Sequence, residues 1–461
     1  MELCRTDRAV QWVTGGGRLP VIPPGHVYIT GRAGLNAAAQ RGSSAPKAFC
    51  SIQILGIPES RGQGGAGFAA CCGKGQGREV SLAVPMNVRL SRLSLSQFRN
   101  HREARLELGG EVNCLVGPNG TGKTNLLDAI HYLSLCKSYF EAQDLHNILH
   151  GEEWFMLKST METPDGPDEL SCAVRTGQRK VFKRNHKEYE RLADHVGRYP
   201  AVMITPYDGQ LVLEGSEVRR RFLDGLIAQF DRAYLDHLLR YNRALAQRNL
   251  LLKQQQGPIT RSTVEPWDEQ LIMHGEAVHA VRRQFIGALA PLLERHYQGI
   301  SSGPEEVALE HRSGLLEAGM RQILDLHWER DLMAQHTTGG VHKDDLLFTI
   351  NGRPLRKFGS QGQQKTFLIA LKLAQFDLTA ERSGRKPMLL LDDIFDKIDP
   401  QRMRHLLQLM RDGRFGQVII TDTDADRLHK ALDGLGLDTR FFLLDHGGIT
   451  ANTPAQTVQN A

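Results

Sequence analysis

A glycine-rich loop that ends in a lysine and a threonine has the residue types needed to bind a chain of phosphates. The loop consists of Gly117, Pro118, Asn119, Gly120, Thr121, Gly122, Lys123 and Thr124. Its glycines allow backbone N–H groups to wrap around a phosphate without Cβ clashes. Lys123 is expected to reach the β- and γ-phosphates, and the Thr124 hydroxyl to coordinate Mg²⁺. The pattern therefore predicts a site for ATP and Mg²⁺.

The flanking sequence supports this interpretation over that of an ordinary glycine-rich turn. Residues 111–116 predict a short strand that leads directly into the loop. Residues 125–135 carry leucines and an isoleucine at helical spacing, which predicts a helix leaving it. The N-terminal end of that helix would add its partial positive charge to the anion site.

Two adjacent carboxylates stand far downstream, directly after another apolar run. Residues 388–391 predict a buried strand that ends at Asp392 and Asp393. Asp392 is expected to hold Mg²⁺, and Asp393 to position or deprotonate the attacking water, which makes Asp393 and Lys123 the predicted catalytic pair. Paired acids at a strand end also occur in ordinary loops. The phosphate loop in the same chain favours the catalytic interpretation.

A third motif lies between these two, at residues 360–364, and predicts a helix over about 366–381. It supplies Ser360, Gln361, Gly362 and Gln363, which we expect to contact the nucleotide. The motif would form an anion receptor from a serine hydroxyl, a glycine N–H and a helix N-terminus. No phosphate bound by the same subunit is available to it. The motif resembles the signature motif of ABC-type ATPases, which implies docking on the γ-phosphate bound by a second copy. Asp399 matches the interface D-loop of that superfamily.

Composition restricts the protein class but does not reveal a partner. The chain has 461 residues and a net charge of +5. Residues 1–85 hold nine basic and four acidic residues, and the remaining 48 basic and 48 acidic residues balance, so global charge does not indicate DNA binding. No apolar run approaches 18 residues, and the first thirty residues lack the apolar core of a signal peptide. We therefore expect a cytoplasmic protein, and the seven cysteines, without zinc spacing, fit a reduced compartment.

The predicted fold class is α/β: an ABC-type P-loop ATPase head, SMC-like but without a long coiled coil, with a mainly helical second lobe. Residues 1–85 are glycine-rich and lack periodicity, which fits either a disordered arm or an upstream translation artefact with Met86 as the biological start. The further predicted segments are 86–213, the N-terminal part of the ATPase lobe; 214–335, the helical lobe; 336–448, the C-terminal part of the ATPase lobe; and 449–461, a polar tail.

From about Met86 to Gly448 the chain resembles the RecF family of bacterial recombination and repair ATPases. The motifs that carry the resemblance are residues 93–100, 117–127, 213–216, 219–224, 241–245, 248–249, 340–345 and 359–366. The resemblance implies ATP-dependent dimerisation on DNA and loading of recombinase at single-strand gaps with RecO- and RecR-type partners. It also implies that Arg99 lies near the nucleotide phosphates, although a surface arginine on a strand remains an alternative.

Three features depart from the patterns of related ATPases. The strand 418–424 ends without the γ-phosphate-sensing histidine of ABC transporters, which favours a slow, switch-like ATPase. Gln143 is a weak match for their Mg²⁺-sensing glutamine. Val341 and Lys343 stand where the RecF family is expected to have Pro and Arg, and lysine lacks the bidentate fork of arginine.

DNA contact without sequence specificity is predicted, and one local basic cluster could provide it. The cluster lies in a predicted hairpin over residues 170–190, with strands at about 170–176 and 180–183. It comprises Arg175, Arg179, Lys180, Lys183, Arg184 and Lys187, with Phe182 and Tyr189 interleaved. A solvated hairpin face is the alternative. Arg219, Arg220 and Arg221 are a second basic run, for which ion pairing is favoured. Two rival functions remain: the nucleotide-binding domain of a transporter, and a nuclease-linked ATPase.

Overall fold

The computed structural model describes the backbone of residues 2–6, 9–13, 28–30 and 53–54, and residues 86–253, 259–301, 303–395, 400–445 and 448–452. The chain divides into two compact units, residues 1–84 and 85–461. In the first unit four short strands pair antiparallel in the order β2-β1-β3-β4: β1 (Glu2–Thr6), β2 (Ala9–Val13), β3 (Tyr28–Thr30) and β4 (Gln53–Ile54). The two predictions for residues 1–85, a disordered arm or a translation artefact, fall mostly outside the described residues and stay predictions.

The second unit alternates strands and helices. Its strands are β5 (Met86–Asn87), β6 (Arg89–Phe98), β7 (His101–Glu107), β8 (Val112–Val116), β9 (Trp154–Thr163), β10 (Gly166–Arg175), β11 (Val181–Arg184), β12 (Lys187–Glu188), β13 (Ala201–Ile204), β14 (Val307–Arg312), β15 (Asp345–Ile350), β16 (Arg353–Pro354), β17 (Arg385–Lys386), β18 (Met388–Leu391), β19 (Val418–Asp422), β20 (Thr439–Asp445) and β21 (Gly448–Asn452). Its helices are α1 (Lys123–Leu135), α2 (Gln210–Leu213), α3 (Ser216–Ile227), α4 (Arg232–Lys253), α5 (Arg261–Ile300), α6 (Met320–Ala334), α7 (Leu355–Phe358), α8 (Gln361–Ser383), α9 (Pro400–Arg411) and α10 (Ala425–Leu432).

A sheet in the order β13-β18-β19-β8-β20-β21 forms the centre of this unit, and its strands run parallel except for β21. β8, β18 and β19 are buried along their whole length, as expected for parallel strands covered on both faces. In β8, Leu115 packs with α1 on one face, whereas Cys114 and Val116 pack with α8 on the other. Because the carboxyl ends of parallel strands share one edge, the loops after β8 and β18 emerge side by side.

An antiparallel sheet in the order β12-β11-β10-β9-β6-β7 covers α1. The predicted hairpin forms as β10 and β11, which pair antiparallel from Leu170↔Arg184 to Ala173↔Val181. The tight connection between β6 and β7 takes Gln97 and Arg99 into left-handed backbone conformations, with φ of 54° and 53°. This connection lies against the phosphate loop, as described below.

The helical region differs from its prediction in two respects. Residues 307–312, inside the predicted helical lobe, form β14, which pairs antiparallel with β15 of the ATPase part. The helices also share one continuous core with the parallel sheet, in which Leu289 of α5, Leu371 of α8 and Leu389 of β18 take part. α5 extends over 40 residues and packs on α4 and α8, so it belongs to the head and is not a projecting arm.

The predicted polar tail begins with further structure. Residues 448–452 form β21, which pairs antiparallel with β20, and Ile449 packs on the core. This strand covers the edge that β20 would otherwise expose. In the part of the chain that the structure describes, no helix combines the length and apolar character that crossing a membrane requires.

Candidate nucleotide-binding site

The loop between β8 and α1 is shaped by glycines that no other residue could replace without strain. Gly120 and Gly122 have φ of 84° and 95°, in the left-handed region. A Cβ on Gly117 would lie 2.2 Å from Leu444 O, and one on Gly122 would lie 2.3 Å from His101 Nε2. The Gly117 N–H donates to Asp422 O at 3.2 Å, which ties the loop to the end of β19.

The start of α1 presents uncapped N–H groups to this loop, because no side chain caps the helix at Gly122. Lys123 is buried, and its Nζ donates to Gly117 O at 2.8 Å and to Pro118 O at 3.0 Å. The lysine ammonium therefore lies inside the curl of the loop, where it can exchange carbonyl oxygens for those of a phosphate. Together these groups form an anion receptor.

Thr124 and Asp392 meet although 268 positions separate them in the chain. Thr124 Oγ1 donates to Asp392 Oδ1 at 2.8 Å, and Thr421 Oγ1 donates to the same oxygen at 2.9 Å. Neighbouring ligands of an octahedral Mg²⁺, each about 2.0–2.1 Å from the ion, lie about 2.9 Å apart. The hydroxyl and carboxylate oxygens are thus spaced to serve as two ligands of one magnesium ion.

Burial raises the pKa of the Asp392 carboxyl, and the hydrogen bonds from Thr124 and Thr421 oppose that rise. Asp393 is half-buried, has φ of 44°, and donates its backbone N–H to Thr421 Oγ1 at 2.9 Å. The two adjacent acids therefore have different environments: Asp392 faces Thr124, and Asp393 sits on a left-handed backbone turn beside it.

Arg99 lies near the loop but is paired with a carboxylate. Its Nη2 donates to Asp128 Oδ2 at 2.7 Å and to Ser138 Oγ at 3.0 Å, and its buried Nε has no hydrogen-bond partner. The next two residues touch the phosphate loop directly. Asn100 Nδ2 donates to Gly120 O at 3.2 Å, and His101 Nε2 lies 3.0 Å from Gly122 O.

Sequence reasoning missed Asn100 and His101. Asn100 is the last residue of the family motif 93–100, and His101 follows it directly; neither was assigned a contact.

A cleft of about 910 Å³ extends from Thr124 and Asn125 to α3. Lys372 of α8 is buried at its wall, with Nζ 2.9 Å from Asp208 Oδ1 and 2.7 Å from Tyr139 OH. This buried network was not predicted either, and it links the helix that follows Ser360 to the wall of the nucleotide cleft.

The segment 360–363 forms the N-terminus of α8. Ser360 Oγ accepts from Gln363 N at 3.2 Å, and Gln363 Oε1 accepts from Ser360 N at 2.7 Å, which completes a capping box. Ser360 and Gln361 are exposed, whereas Gly362 and Gln363 are partly buried. Among the hydrogen bonds of the described residues, none joins residues 360–363 to residues 117–124.

Comparison with known proteins identifies the family. The model for the RecF/RecN/SMC N terminal domain matches residues 89–440. The DNA replication and repair protein RecF of Phocaeicola vulgatus is 44% identical over 363 residues, which cover 78% of this chain and 98% of that protein. The Bacteroides fragilis protein of the same name is 42% identical over 361 residues, 78% of this chain and 97% of that protein. The chain belongs to the RecF family.

A solved structure of the recombination mediator protein RecF with ATP superimposes with a TM-score of 0.73 at 26% identity, covering 82% of this chain and all of that one. The corresponding RecF–ATPrS structure gives a TM-score of 0.72 at 27% identity, covering 80% of this chain and all of that one. The predicted family and fold class are therefore confirmed.

The RecF-family motifs around residues 241–249 and 340–345, which had no role assigned from the sequence, contribute side chains to one buried hydrogen-bond network. Tyr241 OH lies 2.7 Å from His342 Nδ1, and Arg248 Nη1 donates to Thr337 Oγ1 at 2.8 Å. Val341 is buried and its carbonyl accepts from Arg282 Nη1 at 2.8 Å, whereas Lys343 is exposed. Lys343, which replaces the expected arginine, thus lies at the surface, outside this buried network.

The remaining positions compared with transporter-like ATPases are the end of β19, Gln143 and Asp399. At the end of β19, where a transporter-like histidine is absent, Asp422 Oδ1 accepts from Arg427 Nη2 at 2.6 Å. Gln143 is exposed just before the 3-10 helix 144–147, and its neighbours Glu141 and Ala142 line the cleft instead. Asp399 lies outside the described residues.

The predicted basic cluster on the hairpin is largely paired with acids. Lys180 Nζ lies 2.8 Å from Asp144 Oδ2, and Arg184 Nε lies 2.9 Å from Asp168 Oδ1. Phe182 is fully buried, so it cannot stack on a nucleic-acid base. Alternate strand positions point inward, which places Phe182 in the core. Arg175, Arg179, Lys183 and Lys187 remain exposed, and DNA contact by this hairpin stays a prediction.

In the second basic run, residues 219–221, two arginines form ion pairs. Arg219 pairs with Asp345 at 2.8 Å, and Arg221 lies 3.9 Å from Glu217.

Proposed function

We propose that this chain is an ATP-dependent clamp of DNA replication and repair, with ATP and Mg²⁺ bound at residues 117–124 and 392–393. The observation that carries the proposal is the 2.8 Å hydrogen bond from Thr124 to Asp392, which joins the two halves of the site. The name shared by its relatives and the solved RecF–ATP complex support the process and the nucleotide. The cytoplasm, where bacterial DNA lies, is the compartment that this function requires.

Each group of the site has a definite role in this proposal. The N–H groups of the loop and of the start of α1 receive the β-phosphate, and Lys123 turns from its two carbonyl acceptors to phosphate oxygens. Thr124 and Asp392 hold Mg²⁺, which neutralises charge on the β- and γ-phosphates. Asp393 positions the attacking water and accepts its proton. Arg99, at the same cleft, turns from Asp128 toward the phosphates.

The exposed N-terminus of α8 is the second half of the proposed site and serves another protomer. Ser360 to Gln363 offer a hydroxyl and helix N–H groups to the γ-phosphate held by a second copy of the chain. The dimer closes around DNA without reading its sequence, and it promotes recombinase loading at single-strand gaps with RecO- and RecR-type mediators. The end of β19 carries Asp422, paired with Arg427, and no transporter-like histidine. Hydrolysis is therefore slow and serves as a switch.

Light scattering tests the dimer. In an Asp393→Asn background, ATP and DNA are expected to double the molar mass. Adding Ser360→Arg is expected to abolish the doubling, because the large arginine side chain fills the docking surface. Glu381→Arg, at the exposed far end of α8, is the matched control and leaves the doubling intact. A monomer under every condition, with ATP bound, contradicts the clamp.

The exposed face of the antiparallel sheet is where DNA contact is best tested. Lys183 faces Ser171 on β10, and Ser171 faces Lys158 on β9, so the two exposed lysines share one face. Lys158→Glu with Lys183→Glu is expected to weaken DNA binding, and to lower the slope of log affinity against log salt by about 1.4 to 1.8, depending on the strand form.

Fluorescence anisotropy at several salt concentrations measures this effect. Lys253→Glu with Lys430→Glu changes the net charge equally at two exposed lysines on α4 and α10, and it is expected to leave the slope unchanged. Equal losses in both double variants would mean that net charge alone, and not this face, governs the affinity.

A further inference from the structure

Two histidines and an aspartate converge away from the nucleotide site, at the junction of the helical region and β14. His279 comes from α5, His311 from β14, and Asp344 from the turn after the 3-10 helix 341–343. One ligand atom of each residue lies within 4.8 Å of those of the other two. His311 Nε2 is 3.5 Å from Asp344 Oδ2, and the two imidazole rings stack with centroids 5.3 Å apart.

Two polar atoms of this cluster are buried without a hydrogen-bond partner. They are His311 Nδ1 and Asp344 Oδ1. The side chain of Asp344 is 2% exposed and that of His311 8% exposed, so water has little access to either group. Buried polar atoms in folded proteins are almost always satisfied, so these two side chains are incompletely bonded. Their other polar atoms, His311 Nε2 and Asp344 Oδ2, are the ones that face each other.

The donor set is the one that zinc prefers. Two imidazole nitrogens and one carboxylate oxygen, with a water in the fourth position, are typical of tetrahedral Zn²⁺ and unlike the all-oxygen shell of Mg²⁺. Ligands about 2.0–2.1 Å from a tetrahedral ion lie about 3.4 Å apart. The 3.5 Å between His311 and Asp344 already matches that spacing, and the longest separation must close by about 1.4 Å.

The nearby cations do not exclude a metal. Arg282 Nη1 donates to Asp344 Oδ2 at 2.9 Å, but the same guanidinium is also paired with Asp224 at 2.8 Å, which balances its charge.

We propose that His279, His311 and Asp344 form a zinc site that joins α5, β14 and the 341–344 turn. His311 Nε2 and Asp344 Oδ2, the pair at 3.5 Å, would hold the ion together with one nitrogen of His279, and the ion would link the helical region to the strand pair β14–β15. Because the site contains none of the nucleotide-binding groups, zinc binding requires neither ATP nor Mg²⁺.

The test uses the purified full chain without nucleotide, with Zn²⁺ titrated against a chromophoric chelator and Co²⁺ as a spectroscopic substitute. Wild-type protein is expected to bind one ion per chain at this site and to melt at a higher temperature with zinc. His279→Gln, the more exposed ligand and the milder change, is expected to weaken binding at least as much as the roughly 10- to 100-fold that loss of an outer-shell partner causes.

His274→Gln is the matched control. It removes a histidine of the same helix that is paired only with His237, at 2.9 Å, and Gln270. The site is supported if His279→Gln loses the zinc affinity, the cobalt spectrum and the zinc-dependent rise in melting temperature while His274→Gln keeps all three.

Equal binding by wild type and His279→Gln overturns the proposal, because the ion then sits elsewhere, for example on the cysteines of residues 1–85 or on Asp392. A wild-type protein that binds no zinc overturns it as well. If His311→Gln fails to fold, the His279→Gln comparison still decides.

Discussion

Asp393→Asn is expected to lower the rate of ATP hydrolysis by about 10²- to 10⁴-fold, which is the contribution that a positioned general base typically makes. Asparagine keeps the size of the side chain but cannot accept a proton from water. ATP binding is expected to persist, because the phosphate-binding groups, Lys123 and Thr124, are untouched.

The backbone geometry favours this substitution over any other at the position. Residue 393 has φ of 44°, which asparagine tolerates better than most residues, and its backbone N–H bond to Thr421 Oγ1 does not depend on the side chain. The negative charge of Asp393 also raises the pKa of Asp392, to a smaller extent than burial does. Removing that charge is expected to lower the pKa of Asp392, which favours the carboxylate form.

Phosphate release and the affinity for a fluorescent ATP analogue, measured side by side, test this prediction. Asp392→Asn is the contrasting variant: its Oδ1 can still accept from Thr124, but it lacks the negative charge for Mg²⁺ and is expected to lose Mg²⁺-dependent nucleotide binding. If Asp393→Asn hydrolysed ATP at the wild-type rate, another group would have to be the base. If it lost affinity as much as Asp392→Asn, its role would be in binding.

The sequence predicts the elements of the nucleotide site because each depends on a short local pattern. The strand before Gly117, the glycine spacing and the leucines after Thr124 all lie within residues 111–135, and the strand that ends at Asp392 is a separate apolar run of four residues. What the sequence could not reveal is which distant groups meet there. Asn100 and His101 touch the loop, and Lys372 pairs with Asp208, only because the chain folds back on itself.

Other details could not be predicted for the same reason. β14 was not distinguished within the mainly helical segment because its partner β15 begins 33 residues after β14 ends, and a six-residue strand carries little signal by itself. The basic hairpin was proposed as a DNA surface from charges counted along the chain, and that proposal stays a prediction. Once strand pairing places Phe182 inside and brings Lys180 to Asp144, only part of that charge remains outward. Three-dimensional pairing, not composition, decides which charges are available to a partner.

Asp331→Ala is expected to destabilise the protein by about 3–5 kcal/mol, the usual cost of breaking a buried ion pair by removing one partner. Asp331 and Arg248 both have fully buried side chains, and Asp331 Oδ2 accepts from Arg248 Nη1 at 2.6 Å. Asp331 Oδ1 also accepts from the N–H and hydroxyl of Thr338, each at 2.7 Å. The substitution leaves the guanidinium in the core with Asp268 as its remaining acid.

Unfolding by urea, followed by circular dichroism, measures the loss. Asp325→Ala is the matched control on the same helix: it removes the partner of Arg261 from a pair more than half exposed on each side, and it is expected to cost less than about 1 kcal/mol. Replacing both buried charges, as in Arg248→Met with Asp331→Leu, is expected to recover part of the stability, because no unpaired charge then remains. Equal effects of Asp331→Ala and Asp325→Ala would show that the buried pair of Arg248 and Asp331 contributes no more to stability than the exposed pair.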